Sequence, residues 1–372
     1  MHKYLLLSVT LWLSASALAQ TTSPADIAKL LKNKDQTALK AKLKEEPPAN
    51  SFLPVLVHYR TIGLLANALG DTDASLDIAR RWIKADPNEI GALWSLTGSL
   101  QGAGLYEEAI QQGELLLQKV SYRHEKVRVA SDLASNLIAV GRYADATKLL
   151  KEYKVMEDVG QYQGMLTNGG LHRFWPINGS AKYYMAQCEL ASITYQFKEA
   201  EALCTKELEF RVSAKAAAPL LPDPNLKLSA IPSSIYDEVI AKIRLALILA
   251  QAGKYYSAEQ LLRQLKTQLS EKSFMTQITS TLREGDQGLM QVGNIHLVPV
   301  YNAHAHIRFM QHRYAEAETF AKEAVREALV GEYGNYGEKT RMAMQTKLLI
   351  ELAQGDWQSI EVDALYRLSA AG

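Results

Sequence analysis

Apolar residues recur at helical spacing along most of the chain, and the stretches come in pairs. Ala92 to Leu100 and Tyr106 to Leu117 carry apolar residues three and four apart on either side of Gly104. That spacing predicts two amphipathic helices joined by a tight turn. The turn is then copied along the sequence. Gly104-Leu105-Tyr106-Glu107-Glu108-Ala109 and Gly141-Arg142-Tyr143-Ala144-Asp145-Ala146 are near copies. Gly253-Lys254-Tyr255-Tyr256-Ser257-Ala258 and His312-Arg313-Tyr314-Ala315-Glu316-Ala317 repeat the pattern, with His312 at the place held elsewhere by Gly. Gln196-Phe197-Lys198-Glu199-Ala200 and Gly355-Asp356-Trp357 are weaker versions.

The pattern has a physical reading as a helical hairpin. Gly tolerates the left-handed backbone that stops the first helix. The aromatic two residues later roofs the turn, and the Ala three residues beyond it lets the two helices approach closely. One hairpin cannot bury its apolar face alone, so hairpins must stack on neighbours, which makes the chain all-α.

The units sharpen into a family likeness over residues 56–150. Gly70 to Gly104 is a step of 34. Tyr59, Gly63, Gly70 and Pro87 mark the first unit, which ends Lys84-Ala85-Asp86-Pro87-Asn88. Leu96, Gly104, Tyr106 and Ala109 mark the second, which departs at Thr97 and lacks a closing Pro. Leu133, Ala134, Leu137, Gly141, Tyr143 and Ala146 mark the third. This resembles the tetratricopeptide repeat, whose period is about 34 residues. The resemblance implies a right-handed α-solenoid of about six hairpins and a protein or peptide partner bound on its concave face, lined by first helices. Transferred onto this chain, the groove positions are Arg60, Leu64 and Asn67, then Trp94, Gly98 and Gln101, then Arg128, Ser131, Ser135 and Ile138. Arg and Trp dominate many interfaces, and an Arg pair could hold a carboxylate such as a chain terminus. Leu64 stands where the chaperone-tail clamp of this family needs Asn, so that specificity is not implied.

The second half is irregular. The three turn-to-turn steps after Gly141 each exceed 50 residues. The expected organisation is a leader over 1–19, capping helices over 20–48, regular repeats over 49–155, a Gly-rich connector over 156–180 and irregular repeats over 181–372. Ser23-Pro24-Ala25-Asp26 reads as a helix start, and Gln36 to Glu46 as its capping partner. Ala214 to Ser234, with four prolines, reads as an extended connector, and Gly331 to Gly337 as a turn. His172-Arg173-Phe174-Trp175-Pro176-Ile177 is expected to fold back onto the third repeat, the alternative being an exposed contact patch.

Composition then narrows the function classes. Lys+Arg number 41 and Asp+Glu 40 in 372 residues, so no bulk charge favours nucleic acid. Two Cys exclude a disulfide-dense scaffold and a four-Cys zinc module. His2 and Lys3, the apolar run Tyr4 to Leu13 and Ala17-Leu18-Ala19 form a signal peptide with cleavage after Ala19. The expectation is an exported protein, periplasmic if the source is Gram-negative and otherwise secreted, with no membrane span after cleavage. Asn178-Gly179-Ser180 is a glycosylation acceptor only in a eukaryotic route.

Candidate chemistry adds little. His304 and His306 are two apart, on opposite sides of a helix, whereas a zinc helix needs two His four apart. No G-x-S-x-G and no phosphate loop occurs, and no cofactor is implied. Cys188 and Cys204 fall on the two helices of the fourth hairpin, which leaves a disulfide or two buried thiols. The leading reading is a non-enzymatic scaffold or adaptor of the cell envelope. The alternative is an exported hydrolase with its site within 156–337, where His172, His296 and His306 would have to converge.

Overall fold

The left-handed turn is the recurring joint of the molecule. In the computed structural model, which describes residues 36–47, 52–69, 71–155, 171–217, 224–270, 297–331 and 338–355, Gly104, Gly141, Gly253 and Gly355 have φ between 71° and 80°. Two other turns of the same form carry side chains there: Tyr195 at φ 60° and His312 at φ 58°. Five of these joints are closed by the same reach-back. Leu105 N donates to Leu100 O (2.9 Å), Arg142 N to Leu137 O (2.8 Å), Gln196 N to Ala191 O (2.8 Å), Lys254 N to Leu249 O (2.8 Å) and Arg313 N to Arg308 O (2.9 Å). These bonds satisfy carbonyls that the ending helix leaves open.

Fourteen helices are formed among the described residues. They are α1 (Gln36–Leu43), α2 (Phe52–Leu69), α3 (Thr72–Ala85), α4 (Ile90–Gly102), α5 (Tyr106–Lys119), α6 (Arg123–Ala139) and α7 (Tyr143–Glu152). Then follow α8 (Leu171–Ile193), α9 (Phe197–Ala217), α10 (Pro224–Gln251), α11 (Tyr255–Ser270), α12 (Leu297–Met310), α13 (Tyr314–Gly331) and α14 (Glu338–Gln354). Helices α2/α3 to α12/α13 make six antiparallel hairpins, each packed on the next, and α14 covers the last. The fold is therefore an all-α stack of helical hairpins.

The small residue of the motif is where the helices close up. Ala109, Ala146, Ala200, Ala258 and Ala317 are all fully buried. Around them the core runs as a string of local clusters, not one centre. Tyr59, Ile62, Leu65 and Trp82 fill the first hairpin, with Tyr59 and Trp82 stacked at 6.2 Å. Ile110, Leu133, Leu137, Tyr184 and Phe210 run from α5 to α9. Val239, Leu262, Leu265, Val298 and Tyr301 run from α10 to α12.

Two expected connectors are helical where they are described. Leu171 to Ser180 forms the first turns of α8 despite Pro176 and Gly179. Asn178, Gly179 and Ser180 are buried there, and the reason is a close crossing: a Cβ on Gly179 would lie 3.1 Å from the His124 carbonyl oxygen of α6. Tertiary packing overrides the weak local propensity. Likewise α9 continues to Ala217 and α10 begins at Pro224, which takes the first helical position, where its missing N–H costs nothing. The segments 156–170 and 218–223 lie outside the described residues, as do the leader, the residues 20–35 of the expected cap, and 332–337.

Two glycines should respond with opposite signs. Gly179→Val should lower the unfolding free energy by about 2 kcal/mol through overpacking against α6. Gly98, exposed within α4 with open space at its Cβ position, should gain up to about 1 kcal/mol as Gly98→Ala. Urea unfolding of both variants reads the difference directly.

Candidate binding groove

A cavity of about 900 Å³ lies along the first helices of the second to sixth hairpins. Its wall follows one register. Counting back from the turn residue, positions three and six face the cavity on α6 (Ser135, Ile138), α8 (Glu189, Ser192) and α10 (Leu247, Ala250), and position three alone on α4 (Gln101). The turn aromatics Tyr106, Phe197 and Tyr255, with Tyr195 itself and Met310, stand around it. The offset is what a helix demands: residues three apart share a face, and the stop fixes the phase of that face.

Of the residues expected to bind a partner, Gln101, Ser135 and Ile138 line this cavity. Ser131 does not. It is fully buried, and its Oγ donates to Val127 O of its own helix at 2.7 Å, so it has nothing to offer a ligand. Trp94 and Arg128 occupy each other: the Arg128 guanidinium carbon lies 4.3 Å from the Trp94 ring centre. Burial lowers the Arg128 pKa from its ordinary value, with Asp132 opposing. Arg60 is exposed on α2, away from the cavity. The side chains of Leu64 and Asn67 lie outside the described residues. An Arg60–Arg128 carboxylate clamp therefore has no counterpart in this cavity.

The first-helix face is instead crossed by a network of ion pairs that sequence reasoning missed. Arg244 donates to both oxygens of Glu207 (2.6 and 2.7 Å) and sits 3.6 Å from Glu189, which accepts from Ser135 Oγ at 2.8 Å. Arg211 donates to Asn178 Oδ1 (2.6 Å) and Asp237 (2.8 Å), and lies 3.7 Å from Glu207. Lys182 pairs with Asp132 at 2.5 Å. Three cations thus meet four carboxylates across α6, α8, α9 and α10. Burial opposes the Arg244 charge, but Glu207 and Glu189 outweigh it and raise its pKa above the usual range. Burial lifts the Glu189 carboxyl above the ordinary value, with Arg244 and Ser135 opposing. The signal that could have found the wall is the turn register, extended past Gly141 to Tyr195 and Gly253.

Cys188 and Cys204 are joined in a disulfide whose Cα atoms are 5.4 Å apart. It ties α8 to α9 directly behind the groove wall. Asn178 is buried and held by Arg211, so the Asn178-Gly179-Ser180 sequence is closed to glycosylation in the folded chain.

The histidines are dispersed. His304 is buried, stacked on Phe320 at 4.7 Å, with its Nδ1 unpartnered. His306 faces outward, 3.4 Å from Thr346 Oγ1, and His312 bonds Tyr314 within the turn. His296 and the side chain of His172 lie outside the described residues, which leaves the expected hydrolase triad without a described geometry.

No family model and no curated protein matches the chain. Solved structures do. BtubC from P. vanneervenii is 14% identical, with 82% of this chain and 88% of that one covered and a TM-score of 0.34. A STAND signal-transduction ATPase with a tetratricopeptide repeat sensor, from Pyrococcus horikoshii, is 14% identical over 93% of this chain and 52% of that one, TM-score 0.32. The tetratricopeptide repeat domain of P58(IPK) is 12% identical over 85% and 97%, TM-score 0.24. The chain is thus similar, at low identity, to solved proteins built from tetratricopeptide repeats.

Proposed function

We propose that this chain is a non-enzymatic scaffold or adaptor, exported to the cell envelope, that holds a protein or peptide partner in the first-helix groove. One observation carries the reading: positions three and six before the turn in three successive hairpins, with position three of the hairpin before them, converge on a single cavity of about 900 Å³. A stacked array offers such an extended surface as a consequence of its repetition. The Cys188–Cys204 disulfide supports an oxidising compartment, since such bonds are rare in reducing cytosol. The leader over residues 1–19 supports export by the same route.

Site-specific photocrosslinking in the source cells tests the groove. A benzoylphenylalanine at Leu247 should trap one discrete partner, and the same group at Lys148, exposed on the second-helix face, should not. Equal labelling from both positions would reject the groove. Intact mass of the protein recovered from its own cells should show a chain beginning at Gln20; retention of residues 1–19 would reject export.

A further inference from the structure

Resting on that groove reading, we infer that the occupant is an uncharged, extended, apolar peptide segment, and that Tyr195 is the residue that selects it. The charge argument comes first. Among the described residues, the two charged side chains in the cavity wall, Arg244 and Glu189, are committed to each other and to Glu207 and Ser135. An acidic segment would have to displace Glu207 from Arg244, and a basic one would have to displace Arg244 from Glu189. The first exchange leaves the buried Glu207 carboxylate with only the more distant Arg211 (3.7 Å), and the second brings a cation up against the Arg244 guanidinium, which stays bonded to Glu207; both disfavour charged ligands. What remains for a ligand is neutral. Gln101 has an unbonded side-chain amide among the described residues, and Gln251, which accepts from Ser192 at 2.9 Å, still has amide hydrogens to donate. Such groups suit a peptide backbone, which carries a donor and an acceptor at each non-proline residue.

The rim supplies the apolar part. Tyr106, Phe197, Tyr255 and Met310 edge the cavity, and Tyr195 projects among them with 82% of its surface exposed. Packing does not explain Tyr195. Its backbone sits at φ 60°, where an aromatic residue is an outlier and where four sister turns use Gly. Among the described residues its one ring contact is edge-on to Phe197 at 6.1 Å. Strained positions of this kind persist where the surroundings hold them and the side chain has a use. Here the holding element is visible: the Cys188–Cys204 disulfide closes the same hairpin across the Tyr195 turn. His312, the other side chain at such a turn, differs, because its ring is spent on a 3.0 Å bond to Tyr314 within its own turn.

The test uses the full mature chain and three sets of short, C-terminally amidated peptides carrying a neutral dye, read by fluorescence anisotropy. One set is uncharged and apolar (Leu, Pro, Phe, Tyr, Gln); the others substitute Glu or Lys at every third position. The neutral set should bind tightest. Tyr195→Gly should weaken it by about tenfold, as loss of a central aromatic contact does, while the melting temperature stays level or rises. Tyr256→Ala, an equally exposed tyrosine outside the cavity, should bind as wild type. Tightest binding by a charged set, or full binding by Tyr195→Gly, would overturn this inference and leave the groove standing. No binding by any set, together with no crosslink at Leu247, would remove both.

Discussion

Arg244→Met should lower the unfolding free energy by about 3 kcal/mol, the largest effect expected of any single substitution considered. Glu207 is 1% exposed and receives both of its short bonds from Arg244. Removing the guanidinium leaves that carboxylate desolvated, and breaking one side of a buried pair typically costs about 3–5 kcal/mol. The lower figure applies because Arg211 stays 3.7 Å away and Arg244 itself is 20% exposed. The double variant Arg244→Met/Glu207→Gln should recover most of the loss, since a neutral amide tolerates burial far better than an unpaired charge. Urea titrations of the two singles and the double form a mutant cycle. A single-variant cost below about 1 kcal/mol would mean that the network is solvated and contributes little.

Acid should destabilise the second half of the array through His304. Burial against Phe320 and α13, helped by the Arg308 charge one turn along, lowers its pKa to about 4 in the fold, while Glu259 pulls the other way. Lys266 and Arg263 also face it and lower it further. A depressed folded value means the stability it carries is complete above the unfolded value of about 6.5 and is lost as pH falls from there towards 4. Linkage sets the loss at about 2 kcal/mol by pH 5 and about 3 kcal/mol by pH 4. His304→Phe keeps the aromatic contact and cannot titrate. The excess loss of wild type over this variant, read from urea unfolding at pH 7, 5 and 4, should match those figures. Parallel curves for the two proteins would show that His304 does not carry the effect.

Both predictions concern residues that local pattern did not single out for these roles, and the contrast with what was legible is instructive. The repeated turn was readable because its requirements are local. A residue at positive φ needs Gly or bears strain, so Gly104, Gly141 and Gly253 declare themselves, and His312 is identified by the Tyr and Ala that follow it. Ala109, Ala146, Ala200, Ala258 and Ala317 are fully buried because two backbones meet at that point. Proline and glycine misled where burial outweighed them. Gly179 reads as loop punctuation, yet it sits in a helix whose crossing with α6 would put a Cβ only 3.1 Å from the His124 carbonyl oxygen. Pro224 reads as a connector residue, yet it starts a 28-residue helix.

Turn, hairpin and stack were determined by the sequence alone, because each follows from spacings of a few residues. Which polar groups face a partner and which are used up inside was decided only by stacking. Ser135 meets Glu189 across 54 residues, and Arg244 meets Glu207 across 37. No periodicity reports such meetings, since they depend on the angle at which successive hairpins settle. The Ser131 hydroxyl is spent within its own helix, Arg128 sits over the Trp94 ring, and the cavity that stacking forms beside them is rimmed by aromatics.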